Sequence, residues 1–372
     1  MVKPVVTPLA LFVLIASFAV GWRGPSASTP EGLVAPINMT LADQTLYISD
    51  TQTGVHVYDV ADPSAPRPVA AIPMTGNRGT AVKDDILYAS NYRSLVVYRR
   101  EGDTFTLVTE LEPTYDPWHE GGGTPKFKGG TEGYYYNCSC GTSSDQISGA
   151  PTPTSGGSSY ATFALIDDCL YRVGNFQLVV YDVGTPEAPK EIARKDVGWT
   201  IETIYPTNQY LFLGGTQGMS IYDRSNPAAP RFIGSFTHVR ACDPVVVSET
   251  TAYVTLRGGN GCGQTRDLLL TVNIADPSQP VVVAEKELAT PFGLAVRDPF
   301  LYVSTGGSGY ALLDVTDPKA PAPLVAWPGW PTRDFLWSND VLFVLGLDDV
   351  RIYDVTDPKA PVLLATIEND PS

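Results

Sequence analysis

The sequence predicts an all-β fold, a seven-bladed β-propeller whose blades are four-stranded repeats of about 40 residues. Three observations lead to this prediction. The chain of 372 residues contains 34 glycines and 32 prolines and is only 17% charged, a composition that favours strands and turns over helices. One sequence unit recurs seven times, and each copy contains four short apolar runs. The apolar spacing of three and four residues that a helical repeat needs is absent.

The first 28 residues predict export. An apolar run from Val5 to Val20 follows the positive charge of Lys3 and precedes a stretch of small residues. This order is typical of a secretory signal peptide that is cleaved. The alternative is an uncleaved N-terminal anchor, and the chain would then touch a membrane through this segment alone. In both cases we expect the remainder to be extracytoplasmic, either secreted or at the cell surface.

The repeats follow one another through the rest of the chain. In each copy, an apolar pair such as Leu-Tyr leads to an apolar run that ends in Tyr-Asp or its equivalent, and a proline-rich turn and another apolar run follow. The equivalent run-end positions are Asp59, Arg99, Asp182, Asp223, Ile274, Asp314 and Asp354, separated by 40, 83, 41, 51, 40 and 40 residues. This spacing predicts one propeller domain over residues 33–368, with an insertion at 113–160 between blades two and three.

The repeated units resemble LVIVD repeats. The matching residues are Leu178-Val179-Val180-Tyr181-Asp182 in one copy and Val57-Tyr58-Asp59 in another, each followed by a turn that contains two prolines. The resemblance covers nearly the whole predicted domain and implies a β-propeller of exported or cell-surface type. It implies no defined reaction and brings no catalytic residues. Blade two departs from the pattern, because Arg99, Arg100 and Glu101 stand where the Asp-Pro turn is expected.

The recurring Asp-Pro-x-x-Pro turn allows two interpretations. Asp62, Asp276, Asp317 and Asp357 precede the first proline in four copies, and Thr185 and Asn226 replace them in two others. Asp, Asn and Thr side chains all accept a hydrogen bond from a nearby backbone N–H, which favours a structural turn. A cation site needs several oxygen ligands that converge, whereas these residues lie one in each blade. We therefore predict turns and no metal ion.

Propeller topology predicts that both interruptions of the repeat lie on one face. The connections from the last strand of a blade to the next blade, and from its second strand to its third, share the top face, whereas the Asp-Pro turns lie at the bottom. The insertion 113–160 is therefore predicted on top. It combines Gly, Ser and Pro with candidate binding residues Trp118, His119, Tyr134 and Tyr135. Its alternative interpretations are a binding or lid loop and a tolerated insertion.

The five cysteines suggest disulfide bonds in an oxidising compartment. Cys242 and Cys262 are predicted at the top of blade five, where a bond between them would hold its loop. Cys138 and Cys140 lie in the long insertion and are candidates to bridge each other or to fix the loop. Cys169 stands beside an apolar run, where a buried thiol is expected. Connectivity cannot be deduced from sequence, and a Cys-x-Cys metal site is the alternative for the insertion.

A second candidate site lies where the first strand of each blade enters the ring. The repeat position nine residues before each Leu-Tyr pair holds Ile37, Arg78, Ala161, Glu202, Asp243, Phe292 and Arg333. Charges of both signs at one repeat position predict either a channel mouth that binds a small polar ligand or charges that pair around a water-filled channel. Trp199, Phe292 and Trp330 would add apolar area to this mouth.

The sequence thus favours an exported, non-enzymatic binding or scaffold module. Its partner would be a protein or a carbohydrate held by the top face, and the chain would act as a monomer without a cofactor. A net charge of -15, from 40 acidic and 25 basic side chains, opposes binding to nucleic acid. The alternative is a propeller hydrolase or lyase in which Glu202 and Asp243 act as an acid and base pair. Two glycosylation sequons begin at Asn38 and Asn137.

Overall fold

Seven antiparallel sheets form a ring, so the predicted seven-bladed β-propeller is confirmed. The computed structural model describes residues 32–91, 94–111, 156–174, 176–197, 201–215, 217–237, 244–258 and 266–368. Within these ranges there is no α-helix, and the single helical turn is the 3-10 segment Gly306–Ser308. No helix of the described chain is long and apolar enough to cross a membrane. The predicted signal peptide or anchor, residues 1–28, lies outside the described residues.

Each blade is one continuous piece of chain with four strands. Blades one to four contain β1 (Pro36–Ala42), β2 (Thr45–Asp50), β3 (Gly54–Asp59), β4 (Arg67–Pro73); β5 (Asn77–Lys83), β6 (Ile86–Asn91), β7 (Ser94–Glu101), β8 (Thr104–Leu111); then, after the short β9 (Gly156–Gly157), β10 (Phe163–Ile166), β11 (Cys169–Gly174), β12 (Gln177–Asp182), β13 (Lys190–Asp196); and β14 (Ile201–Pro206), β15 (Tyr210–Gly215), β16 (Gly218–Asp223), β17 (Arg231–Thr237). Blades five to seven contain β18 (Val245–Ser248), β19 (Thr251–Leu256), β20 (Leu268–Asn273), β21 (Val281–Glu287); β22 (Leu294–Arg297), β23 (Phe300–Ser304), β24 (Gly309–Asp314), β25 (Ala322–Pro328); and β26 (Asp334–Ser338), β27 (Val341–Leu345), β28 (Val350–Asp354), β29 (Val362–Ile367).

The first strand of every blade is the innermost one, because it contacts the first strands of both neighbouring blades. We call the end at which these inner strands begin the top and the opposite end the bottom. The turns between the first and second strands and the proline-rich turns lie at the bottom. The connections to the next blade begin and end at the top, where β8 of blade two finishes and β10 of blade three starts.

The core consists of seven hydrophobic clusters, each shared by two adjacent blades. The cluster between blades seven and one closes the ring. Leu33, which precedes the first strand, is fully buried there together with Leu46 of blade one and Phe343 and Ile352 of blade seven. Among the described strands, none is exchanged between the first and last blades. Apolar side chains therefore hold the ring shut, since apolar burial is the main favourable contribution to folding.

The Asp-Pro-x-x-Pro segments form tight turns, as the sequence predicts. In blade seven, Asp357 Oδ1 accepts a hydrogen bond from the Lys359 N–H, and the Ala360 N–H donates to the Asp357 carbonyl. The turns at Asp62, Asp276 and Asp317 repeat both bonds. In the described part of the chain, no group of three or more His, Cys, Asp or Glu side chains has the arrangement of a metal site.

The Leu-Tyr pair and the proline-rich turn are joined by a hydrogen bond between adjacent blades. The Tyr88 hydroxyl donates to the Pro186 carbonyl at 2.8 Å, Tyr171 to Pro227 at 3.0 Å and Tyr302 to Pro358 at 2.6 Å. In each pair the tyrosine belongs to one blade and the proline to the turn of the next. Two features that recur separately in the sequence thus form one contact in the ring.

Blade two replaces this contact with an arginine. Its third strand runs into the fourth through a hairpin at Gly102 and Asp103, and no proline-rich turn is present there. Arg100 Nη1 instead donates to Thr45 Oγ1 at 2.9 Å and to the Tyr47 hydroxyl at 3.4 Å in blade one. Arg100 of this repeat therefore supplies the inter-blade link that the proline carbonyl supplies elsewhere.

Candidate functional site

The top of the ring gathers the side chains predicted for the channel mouth. Arg78 and Glu202 belong to the inner strands of blades two and four, and Phe292 and Arg333 lie just before those of blades six and seven. Arg78 is exposed, whereas Glu202, Phe292 and Arg333 are half-buried. These four side chains therefore lie at the same end of the ring, around the entrance to its centre.

A short piece of chain lies inside the ring at this point. Strand β9 pairs with the inner strand of blade one, with Gly157 opposite Thr40 and Gly156 opposite Leu41. The chain then rises through Ser158, Ser159, Tyr160 and Ala161 to the top, where blade three begins. We call residues 156–161 the channel segment. The insertion predicted on the top face over 113–160 thus ends inside the ring.

The channel segment is bonded to the inner strands on several sides. Its Ser158 N–H donates to the Met39 carbonyl at 3.0 Å, and its Ser158 Oγ accepts from the Met39 N–H at 3.2 Å. The Ala161 carbonyl accepts from the Ile204 N–H of blade four at 2.8 Å, and Ser159 Oγ accepts from the Leu294 N–H of blade six at 3.1 Å. The channel segment therefore connects the inner strands of blades one, four and six through hydrogen bonds.

Asn38 also holds this segment and so cannot serve as a glycosylation site in the folded chain. Its side chain is 1% exposed, and its Nδ2 donates to the Arg78 carbonyl at 2.6 Å and to the Tyr160 carbonyl at 3.4 Å. The sequon that begins at Asn38 is thereby excluded, because a glycan needs an accessible side-chain nitrogen. The second sequon, at Asn137, lies outside the described residues.

Asp334 fixes the channel segment to blade seven. Its carboxyl group is fully buried and accepts hydrogen bonds from Ser159 Oγ at 2.6 Å, the Tyr160 N–H at 3.1 Å and the Phe335 N–H at 2.9 Å. Burial nevertheless dominates over these bonds and raises the pKa of Asp334 to about 6. The carboxyl group therefore changes its charge just below neutral pH.

Tyr160 lies among the charges of the mouth. Burial raises the pKa of its hydroxyl, with Arg257, Asp334, Glu202 and Arg333 near enough to contribute. Arg333 donates from Nη1 to the Pro36 carbonyl at 2.7 Å, which joins blade seven to the start of blade one. Burial also lowers the pKa of the Arg333 guanidinium. The structure thus brings Arg333 and Glu202 together around Tyr160, a residue that the sequence did not single out.

Guanidinium groups stack on aromatic rings at the rim of this mouth. The Arg257 guanidinium lies 3.9 Å from the centre of the Phe292 ring, and that of Arg351 lies 4.1 Å from the centre of the Trp330 ring. Trp330 Nε1 also donates to Asp349 Oδ2 at 3.1 Å. Such contacts restrict the aromatic side chains to one orientation. Asp349 also pairs with Arg351 at 3.5 Å, so the rim combines aromatic rings with charges of both signs.

Several predicted site residues lie outside the described part of the chain. They are Trp118, His119, Tyr134 and Tyr135 of the insertion, Trp199 and Asp243 of the mouth, and the disulfide candidates Cys138, Cys140, Cys242 and Cys262. The predicted acid and base pair of Glu202 and Asp243 therefore has only one described member. The fifth cysteine, Cys169, is fully buried, as the sequence predicts.

Sequence reasoning missed three residues of this site, Ser159, Tyr160 and Asp334. The bond between Ser159 and Asp334 joins positions 175 residues apart, and nothing in the repeat pattern connects them. One local signal was available, because Gly156 and Gly157 leave room for backbone inside a crowded ring. A Cβ atom on Gly157 would lie 2.7 Å from that of Ala161.

Comparison with known proteins identifies the repeat. Residues 207–238 match the LVIVD repeat. This range begins just after the inner strand of blade four and ends just after its outermost strand. No curated protein matches the chain. The match agrees with the resemblance found in the other copies of the unit, and the ring of seven sheets agrees with a propeller built from them.

Solved structures share the fold at low sequence identity. The periplasmic gluconolactonase PpgL of Pseudomonas aeruginosa is 12% identical, with a TM-score of 0.59 over 89% of this chain and 96% of that one. BamB of Moraxella catarrhalis is 9% identical, with a TM-score of 0.52 over 83% and 81% of the two chains. Sqt1 of Saccharomyces cerevisiae is 9% identical, with a TM-score of 0.54 over 92% and 87%. These likenesses concern the fold alone.

Proposed function

We propose that this LVIVD-repeat β-propeller is an exported, monomeric, non-enzymatic binding module that holds a protein or glycan partner on its top face. The proposal rests chiefly on one observation: the channel segment occupies the centre of the ring just below the mouth. A partner at this end would therefore contact the rim and the channel segment and would not enter an open channel. The predicted export and the predicted partner classes belong to the proposal.

The chemistry of the rim supports a contact surface. Arg, Trp, Tyr and Phe are the residue types that contribute most to binding energy when a partner covers them. Arg257, Phe292, Trp330 and Arg351 are held in stacked pairs, so a partner would lose little side-chain entropy in ordering them. Exposed Arg78 adds a positive group on the opposite side of the mouth, in blade two.

The enzyme alternative has less support. A catalytic pocket is usually concave and buries most of its substrate. Beneath the mouth, the described chain places Tyr160 and Ser159, and Ser159 and the Tyr160 N–H are bonded to Asp334. A hydrolase or lyase that uses Glu202 and Asp243 remains the alternative, and the likeness to a gluconolactonase is a likeness of fold.

Binding by two top-face variants tests the proposal. The purified protein is assayed on a glycan array and by cross-linking to extracellular proteins, in parallel with Arg78→Ala and Phe292→Ala. Lys319→Ala serves as the matched control, because Lys319 is exposed on a bottom turn of blade six. We expect each top-face change to weaken the wild-type interaction about fivefold or more, and the control to leave it unchanged.

Two results would contradict this function. One is binding that survives both top-face changes and is lost in Lys319→Ala. The other is turnover of a substrate in a hydrolase and lyase screen that Glu202→Gln abolishes, which would establish the enzyme alternative.

A further inference from the structure

A cavity lies at the bottom end of the ring, on the other side of the channel segment from the proposed partner surface. Its volume is about 420 Å³. Gly157 and Ser159 of the channel segment contribute to its lining, and the remaining lining residues belong to blades one, four, five, six and seven. We call this cavity the bottom chamber. Its volume falls within the range of typical small-molecule sites.

The walls of the bottom chamber combine polar and apolar surface in similar amounts and include aromatic rings. Leu41, Val296 and Leu336 line it together with Tyr205 and Trp337. All but Leu336 keep part of their side-chain surface accessible although they lie on inner strands. Aliphatic and aromatic side chains beside a few polar groups are common in ligand pockets.

The opening of the bottom chamber is surrounded by negative charge. Asp43 lines the chamber itself and lies in the turn between the first and second strands of blade one. The same turn carries an acidic residue in six of the seven blades, namely Asp43, Asp84, Asp85, Asp167, Asp168, Glu249, Asp298 and Asp340. Because inner strands border the channel, these turns form its bottom rim.

Basic side chains neutralise only part of this rim. Lys83 pairs with Asp168, Arg224 with Asp167 at 3.7 Å and Arg297 with Asp340 at 3.4 Å. The other rim carboxylates, of Asp43, Asp84, Asp85, Glu249 and Asp298, make no ion pair with the described residues. A cleft whose rim carries an excess of one charge sign concentrates the electric field at its opening. The site therefore favours a cation over a neutral molecule of the same shape.

We infer that the bottom chamber binds a small organic cation with an apolar or aromatic body. The body would contact Leu41, Val296 and Leu336, and the cationic group would lie near Tyr205 and Asp43. The electron-rich faces of aromatic rings attract such groups, and Arg297, 5.6 Å from the centre of the Trp337 ring, already makes this kind of contact at the rim.

Two probes of equal shape separate charge from size. One is the (4-hydroxyphenyl)trimethylammonium cation and the other is 4-tert-butylphenol, in which a carbon replaces the charged nitrogen. Titration calorimetry on the whole protein gives both affinities. We expect the cation to bind about tenfold more tightly than its neutral isostere at low salt, and this preference to shrink as salt is added.

Two variants locate the binding site. Ser338→Trp places a large ring at the chamber wall and should abolish binding of both probes. The triple change Asp43→Asn, Asp84→Asn and Glu249→Gln removes exposed rim charges and nearly keeps the size of each side chain. It should remove most of the preference for the cation. Asp348→Asn is the matched control, because Asp348 is exposed and follows β27, at the top of blade seven. It should leave both affinities unchanged.

Specific outcomes would overturn this inference. Equal affinities of the two probes would show an apolar cavity without charge selection. Failure of both to bind, or binding that Ser338→Trp leaves intact, would show that the chamber is not the site. If Ser338→Trp does not fold, the triple variant decides, because an unchanged preference for the cation then contradicts the proposal. Neither Ser338→Trp nor the triple variant alters the top face, so their results are independent of the proposed partner surface.

Discussion

The carboxyl group of Asp334 connects the channel segment to the ring. It is fully buried, and each of its two oxygens accepts a hydrogen bond from this segment. Asp50, in contrast, accepts four backbone N–H bonds at the top of blade one, and these bonds lower its pKa despite the cost of burial. At Asp334 the cost of burial dominates.

This difference predicts how Asp334 affects stability as the pH changes. In the unfolded chain the carboxyl group loses its proton near the ordinary value of 3.8, whereas in the folded chain it keeps the proton up to about pH 6. The folded state therefore binds more protons in this window, and the stability that Asp334 contributes is complete below pH 3.8 and is lost as the pH rises through 6. The loss is about 3 kcal/mol at full ionisation.

Asp334→Asn removes this titration. The free energy of unfolding of wild type and variant is measured by denaturant titration between pH 4 and 7. The stability of Asp334→Asn minus that of wild type should increase as the pH rises, even if the amide forms weaker hydrogen bonds at every pH. Asp348→Asn corrects for the general effect of one lost acidic charge. Parallel stability curves for wild type and Asp334→Asn would contradict a raised pKa at this residue.

At the scale of strands and turns, a tyrosine hydroxyl attaches blades two, three and six to the blade that follows each of them. The sequence shows the Leu-Tyr pair and the proline-rich turn as separate features, and their periodicity is sufficient to predict blades, faces and turns. It does not show that Tyr302 reaches Pro358, because this contact joins neighbouring repeats in space. For the same physical reason the bond between Ser159 and Asp334 was not predictable, since neither residue is repeated.

Removing one such hydroxyl should destabilise the ring measurably. Tyr302→Phe leaves the ring packing unchanged and deprives the Pro358 carbonyl of its 2.6 Å hydrogen bond. The expected loss in unfolding free energy is about 1 to 2 kcal/mol, and Tyr88→Phe should cost a similar amount. Tyr210→Phe is the control, because Tyr210 forms its hydrogen bonds with Thr207 through the backbone. Equal stability of Tyr302→Phe and the control would show that the contact contributes nothing.

The whole molecule is a closed ring with two different ends. The top carries stacked Arg and aromatic side chains around Tyr160, and the bottom carries a rim of carboxylates around the bottom chamber. The channel segment separates the two ends. The sequence predicted the ring and both faces but not this separation, because the segment contributes only Gly-Gly-Ser-Ser-Tyr-Ala to a long irregular stretch.

Hydrogen–deuterium exchange of residues 156–161 tests most directly that the chain closes its own channel. The N–H groups of Ser158, Tyr160 and Ala161 all donate to described partners, at 3.0, 3.1 and 2.9 Å. We predict that peptides from this segment exchange as slowly as those from the inner strand β10 and more slowly than those from the exposed outer strand β8. Exchange within seconds would contradict the closed channel and remove the main support for a surface-binding role of the top face.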